Sequence, residues 1–320
     1  MAVTNPRPVV FPNDETPHDN NLEWWYYNGH LTDEDGGEYG FHFVVFQGRT
    51  EDAGVGYMAH TGLSNLAAGT HDQAGRFSFG EQAGQPSGGF DFIIEDWTLN
   101  GSPGLHAFTT SIDDRSLELI MLPIKRAVLH DEDGFLESGD GWTYYYSWTR
   151  MEATGTLSLL DGDRQVTGTT WMDHQWGDFS VTGYPTGWQW FAVQLDDGSE
   201  LMVTEARDGN ETPLVYGTLV RPDGHSIHLT NDDTTLTTLG TWMSPHTQTE
   251  YPAGWRISVP EHRLEIELVP TIADQEITVA FPPRTIYWEG TASVSATLNN
   301  ETIRGNAFVE LVGYVKPGIG

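Results

Sequence analysis

The sequence predicts an all-β protein built from two copies of one strand-rich unit. Three observations carry that prediction. Turn signals recur about every ten residues, at Asp113-Asp114, Asp131-Glu132-Asp133-Gly134, Asp161-Gly162-Asp163, Asp196-Asp197-Gly198, Pro222-Asp223-Gly224 and Asn299-Asn300, a spacing that suits sandwiches and barrels. The runs between them are rich in β-branched and aromatic residues, and a helical period is almost absent. The two halves also echo each other.

Taken in order, a Pro-rich lead gives way to Trp24-Trp25-Tyr26-Tyr27-Asn28-Gly29-His30-Leu31, a strand of strong β formers, then a Gly36-Gly37 turn and a second strand from Tyr39 to Phe46. Only Ser64 to Ala74 has the composition for a helical turn. Further strands are expected at Leu117 to Leu122, Trp142 to Arg150, Gln165 to Met172, Trp190 to Leu195, Glu200 to Ala206 and Arg263 to Val269. The run Gln165 to Met172 is expected to end in the central motif, Trp171-Met172-Asp173-His174-Gln175-Trp176-Gly177-Asp178.

Four echoes appear in the same order in both halves. Leu117-Glu118-Leu119-Ile120-Met121-Leu122-Pro123 parallels Leu264-Glu265-Ile266-Glu267-Leu268-Val269-Pro270. Gly155-Thr156 parallels Gly290-Thr291, and Gly168 parallels Gly305, which sets Trp171 against Phe308 and Asp173 against Glu310. Trp25 to Leu31 parallels Trp190 to Leu195, each running into an acidic Gly turn. The expected division is a unit over 15–178 and a second over 179–320, joined near 179–187.

At 320 residues the chain has length enough for two cores. It has no cysteine, which removes disulfides, thiolate metal sites and thiol nucleophiles. Acidic residues number 46 against 15 basic, a net charge of −31, and Lys125 and Lys316 are the only lysines. Such a surface repels nucleic acid and anionic lipid. The acids sit in turns rather than in one tail, the pattern of a surface adapted to high salt. No run approaches the roughly 18 apolar residues of a membrane helix. The N-terminus lacks an apolar signal region, so a cytoplasmic location is expected.

Several motifs together resemble one family. Glu23-Trp24-Trp25-Tyr26-Tyr27-Asn28-Gly29, Met58-Ala59-His60, the central Trp171 to Gly177, Tyr287-Trp288-Glu289-Gly290 and Val309-Glu310-Leu311-Val312-Gly313-Tyr314 are similar to the carotenoid 1,2-hydratase (hydroxyneurosporene synthase) family, from about Glu23 to Tyr314. That resemblance implies two lipocalin-like β-barrel domains in tandem with an apolar pocket. It implies chemistry on an isoprenoid or other hydrophobic polyene, and no cofactor. Relatives of the fold include hydratases, cyclases and pericyclases, so fold transfers more readily than reaction. His174-Gln175-Trp176 matches the His-x-Trp pair of the hydratases. Their Tyr-x-Asp pair has no counterpart in Leu201-Met202-Val203-Thr204-Glu205-Ala206-Arg207, where Glu205 is the nearest acid.

The chemistry asks for particular residue types. Adding water to an isolated alkene, or cyclising it, begins with protonation and needs a carboxylic acid kept neutral near pH 7 by burial. Asp173, between Trp171 and Trp176, suits that role, and Glu205 is the alternative. A carbocation is stabilised by aromatic faces, and Trp24, Trp25, Tyr26, Trp176, Trp188 and Trp190, with His60, are expected to line the substrate pocket. His174 is the expected base toward water. Each residue also has a plainer reading: a turn cap for Asp173, a satisfied core histidine for His174, core packing for the tryptophans, a solvated rim for Glu205. A carrier of an apolar ligand needs no chemistry at all. No metal is expected at Asp173, His174 and Asp178, because a strand turns adjacent residues to opposite faces. No Gly-x-Ser-x-Gly elbow is present for an esterase.

Overall fold

In the computed structural model, which describes residues 6–50, 54–80, 88–102, 104–138, 141–179, 187–207, 213–279 and 285–315, the run from Trp24 to Leu31 is the middle of strand β1 (Leu22–Asp33). Eleven further strands follow in the same antiparallel sheet: β2 (Glu38–Thr50), β3 (Gly54–Asn65), β4 (Thr70–Phe79), β5 (Phe90–Ile94), β6 (Trp97–Ser102), β7 (Leu105–Ile112), β8 (Arg115–Pro123), β9 (Val128–Leu129), β10 (Phe135–Ser138), β11 (Gly141–Leu159) and β12 (Gly162–Asp178). Their order is β4-β3-β2-β1-β12-β11-β8-β7-β6-β5, with β9 and β10 on β11. The chain meanders outward from β1, then the long β11–β12 hairpin returns to lie beside it. This order leaves β4 and β5 at the two ends of the sheet.

The second half repeats that wiring. It comprises β13 (Trp188–Leu195), β14 (Glu200–Ala206), β15 (Leu214–Val220), β16 (Ser226–Leu229), β17 (Thr235–Thr238), β18 (Thr241–Met243), β19 (Glu250–Pro252), β20 (Trp255–Val259), β21 (Leu264–Pro270), β22 (Glu276–Val279), β23 (Thr285–Leu298) and β24 (Glu301–Val312). The order is β16-β15-β14-β13-β24-β23-β21-β20-β17, with β22 on β23 and a separate β18–β19 ribbon. The fold is therefore all-β, two near-barrel, lipocalin-like sheets in tandem. The chain divides into compact units of residues 1–67 with 72–180, and 68–71 with 181–320. The joint expected near 179–187 lies largely outside the described residues.

Each sheet wraps its own core. In the first, Trp25, Tyr27 and Leu31 of β1 point inward with Met172 and Trp176 of β12 and Tyr144 and Tyr146 of β11. In the second, Phe191, Val193 and Leu195 of β13 meet Leu201, Val203, Trp255 and Leu311. The period-two alternation read from the sequence is what directs these side chains inward.

The register tests the four echoes. Leu31 pairs with Gly168 and Leu195 with Gly305, so the two glycines are equivalent. A Cβ on Gly168 would stand 2.0 Å from the His30 carbonyl oxygen, and one on Gly305 2.3 Å from that of Gln194. Neither position has room for a side chain. The Leu117 and Leu264 strands also correspond, through the β8–β11 and β21–β23 pairings. Trp190, however, occupies the place of Tyr26 rather than Trp25, since it pairs with Glu310 as Tyr26 pairs with Asp173. Gly155 and Gly290 are not equivalent. Gly155 is small because β8 backbone approaches it, Gly290 because the Gln275 side chain covers it. Ser64 to Ala74 holds no helix; it is the end of β3, a turn with Gly69 at φ +66° and the start of β4. The run from Gln165 does not stop at Met172 either. β12 continues to Asp178, so the central motif lies in the body of a strand.

Candidate functional site

Because β12 carries the central motif as strand, adjacent residues face opposite ways. Trp171 and Asp173 lie on one face, His174 and Trp176 with the core on the other. Two constellations result.

The first is built on a row of paired residues across five strands. Ser147 of β11 pairs with Asp173 of β12, Asp173 with Tyr26 of β1, Tyr26 with Val44 of β2, and Val44 with His60 of β3. All five share the face opposite the core and all are buried. Trp24 and Phe46 occupy the neighbouring row, their rings 6.2 Å apart. Asp173 is 4% exposed. Its Oδ2 accepts from the Tyr145 hydroxyl at 2.6 Å, and its Oδ1 accepts from Trp171 Nε1 at 2.5 Å and from the Ser147 hydroxyl. Ser147 Oγ in turn lies 2.7 Å from His130 Nε2, and the His130 ring packs 4.1 Å from that of Tyr145. Burial drives the Asp173 carboxyl up to about 6, against the opposing pull of its three donors. Burial likewise lowers His60 to about 4, which leaves it a neutral imidazole.

This network is satisfied in either protonation state of Asp173. Ionised, the carboxylate accepts from all three donors, and Ser147 Oγ accepts from His130. Neutral, the acid donates to Ser147 Oγ, and the serine hydroxyl turns to donate to the unprotonated Nε2 of His130. Asp173 and Ser147 keep hydrogen-bond partners in both states, with His130 carrying its proton on Nε2 in one and on Nδ1 in the other. A carboxyl in such a setting can give up and regain a proton without rebuilding its surroundings.

The second constellation sits on the core face. His174 Nε2 is 2.7 Å from Glu23 Oε1, and His18 Nδ1 is 2.8 Å from the same oxygen. Glu23 Oε2 accepts from the His18 main-chain N–H at 2.7 Å and from Gln47 Nε2 at 3.1 Å. His174 Nδ1 faces the Tyr146 hydroxyl at 3.1 Å, and His18 Nε2 faces Asp14 Oδ1 at 3.3 Å. Arg7 grips Asp14 with its two terminal guanidinium nitrogens, Nη2 donating to Oδ1 at 2.6 Å and Nη1 to Oδ2 at 2.7 Å. Trp176 stacks on His18 with centroids 4.3 Å apart, and Trp25 on His174 at 4.7 Å. Burial alone works against a charge on His18, yet Asp14 and Glu23 outweigh it and its pKa is raised. Burial lowers His174, with Glu23 opposing.

The residues singled out in the sequence thus fall into separate groups. Asp173, Trp24, Tyr26 and His60 share the outer buried face; His174, Trp25 and Trp176 belong to the inner one. Asp173 and His174, adjacent in sequence, do not meet. In the second unit Trp188 donates its Nε1–H to Glu310 Oε2 at 2.7 Å, so each repeat has an indole N–H on its equivalent carboxylate. Trp190 shares that face, pairing with Glu310. Glu205 instead lies on the core side, where its Oε1 accepts from Gln189 Nε2 at 2.8 Å, and Gln189 Oε1 accepts from Trp255. Sequence reasoning missed Tyr145, Ser147 and His130 around Asp173, and His18 and Asp14 beside Glu23. Tyr145 and Ser147 stood in a predicted strand whose alternation placed them together. Nothing local in the sequence marks His18.

The AttH-like family profile matches residues 2–314. No curated protein is similar enough in sequence to count as a relative. Among solved structures, a putative AttH from Nitrosomonas europaea is 27% identical with a TM-score of 0.87, covering 99% of this chain and 100% of that one. Kievitone hydratase from Nectria haematococca is 16% identical, TM-score 0.79, covering 98% and 95%. CghA with Sch210972 is 14% identical, TM-score 0.62, covering 93% and 90%. The last two likenesses concern the fold.

Proposed function

The chain belongs to the AttH-like family, and we propose that it adds water to, or cyclises, a carbon–carbon double bond of an apolar small molecule, by acid catalysis and without a cofactor. The observation that carries this reading is Asp173: a carboxyl buried among aromatic side chains, with hydrogen-bond partners that suit both of its protonation states. The presence of a hydratase, kievitone hydratase, among proteins of the same fold supports it.

Asp173 transfers its proton to one alkene carbon and leaves a carbocation on the other. The faces of Tyr26 and Trp24 stabilise that cation. Water attacks it to give a C–OH2+ group, whose extra proton returns to the Asp173 carboxylate, so the alcohol forms and the acid is regenerated. In cyclisation a second double bond of the same molecule takes the place of water, and the ring cation that results loses a neighbouring C–H proton to the Asp173 carboxylate, which leaves an alkene and restores the acid. Tyr145, Ser147, Trp171 and His130 hold Asp173 and reset its hydrogen bonds. His174 and Glu205 point into their own cores and are not part of this step. An isoprenoid or polyene chain is the substrate class that best suits the aromatic strand face carrying Trp24, Tyr26 and Phe46. The acidic surface suits a working solution of high ionic strength.

The test is incubation of the full chain with an acyclic carotenoid, a short isoprenoid alcohol and kievitone, followed by mass spectrometry. A product heavier by one water identifies a hydratase. A product of equal mass and altered retention identifies a cyclase. Substrates bound stoichiometrically and recovered unchanged point to a carrier and reject the catalytic reading.

A further inference from the structure

We propose that His18, Glu23 and His174 form a binding site for one divalent first-row transition-metal ion of the Zn²⁺ or Co²⁺ kind. Two imidazoles and one carboxylate are a donor set that such ions favour, while Ca²⁺ and Mg²⁺ prefer oxygen alone. The three donor atoms lie within 4.8 Å of one another. Glu23 Oε1 is 2.7 Å from His174 Nε2 and 2.8 Å from His18 Nδ1. Ligands ~2.1 Å from a shared tetrahedral ion stand ~3.4 Å apart, so each Glu23–imidazole gap has to widen by about 0.6–0.7 Å and the two imidazole nitrogens have to come within that distance of each other.

The surroundings are those of a metal site as well. Ligating imidazoles are usually held by a partner on the far nitrogen. Here Asp14, clamped by Arg7, faces His18 Nε2, and the Tyr146 hydroxyl faces His174 Nδ1. The second oxygen of Glu23 is fixed by Gln47 and by the His18 main chain. Trp176 and Trp25 stack on the two rings and form a dry wall. An ion has a way in, because the His18 side chain is 15% exposed whereas those of Glu23 and His174 are fully covered. Three protein ligands leave at least one coordination position for water.

No local motif announces this site, since its residues lie 5 and 151 positions apart. The β1–β12 register assembles it, by placing Glu23 opposite Trp176 and Trp25 opposite His174. The bound ion would tie the N-terminal segment to the barrel. It is independent of the Asp173 chemistry on the opposite face of β12.

The experiment strips the full chain with a chelator and titrates it with Co²⁺. Expected are one equivalent bound, the visible absorption of nitrogen-ligated four- or five-coordinate cobalt, displacement by Zn²⁺ but not by excess Mg²⁺ or Ca²⁺, and a melting temperature that rises with Zn²⁺. His18→Ala and Glu23→Gln should each weaken binding by about a hundredfold or more. His246→Ala, in the exposed His246–Asp274 pair, should leave it unchanged. Uptake that survives both ligand changes, or that Mg²⁺ competes away, would mean binding to the acidic surface and overturns the proposal, as does no uptake at all. Should the ligand variants not fold, the wild-type cobalt spectrum decides: the weak absorption of six-oxygen cobalt overturns it.

Discussion

At the scale of single residues, Asp173 yields the most specific expectations. Replacing it with Asn keeps the volume, keeps Oδ1 for Ser147 and Trp171, and leaves an amide that can donate to the Tyr145 hydroxyl. Asp173→Asn should therefore fold. Its carboxyl rises from 3.8 to about 6 on folding, so the native state favours the protonated form. The stability this group contributes is full below about pH 4 and is lost as pH rises through about 6, by about 3 kcal/mol in all. Urea unfolding of the wild type and Asp173→Asn should show the difference moving in the variant's favour by up to that amount between about pH 4 and pH 7. A pH-independent difference would remove the claim that Asp173 holds its proton up to about pH 6. The catalytic step asks for the same form, so the rate should fall as pH climbs past about 6. Aspartate between tryptophans was visible in the sequence as a candidate acid. Two of its three hydrogen-bond donors were not, because Tyr145 and Ser147 arrive from β11, 28 and 26 positions away.

At the scale of elements, the repeated glycines are the clearest case of sequence dictating structure. Gly168 and Gly305 sit where β12 and β24 pass a neighbouring carbonyl at a distance no Cβ tolerates. Gly168→Ala should cost about 2 kcal/mol or more, by forcing β1 and β12 apart. Gly48 of β2 has open space around it, and Gly48→Ala should stay within about 1 kcal/mol of the wild type. Equal losses at the two sites in thermal unfolding would refute the close-approach argument. The echo at Gly155 and Gly290 shows the other side. Two glycines can match in sequence while answering different constraints, one imposed by backbone and one by a side chain. The one-residue offset in aligning Trp190 with Trp25 has a physical origin too. Both are large aromatics in β formers' company, and only the cross-strand pairing reveals which face each one occupies.

At the scale of the whole molecule, strand content and tandem repetition were legible because turn chemistry and period-two alternation are local properties. The core-face cluster was not, since its members come from the N-terminal lead, β1 and β12. Strand reach was underestimated at the central motif: β12 runs on through Gly177, where a Cβ would meet the Trp142 carbonyl oxygen at 2.1 Å. The net charge of −31 sets a further expectation. Self-repulsion should make the melting temperature climb markedly from dilute buffer to molar NaCl. An unchanged melting temperature would show that the acidic turns are too far apart to strain the fold.

The central claim, that Asp173 is the proton donor, is tested most directly by the turnover number of Asp173→Asn on whichever alkene the wild type converts, normalised to folded protein. The account predicts a loss of about a hundredfold or more with the melting profile preserved. Turnover within a few-fold of the wild type, in a folded variant, would contradict it.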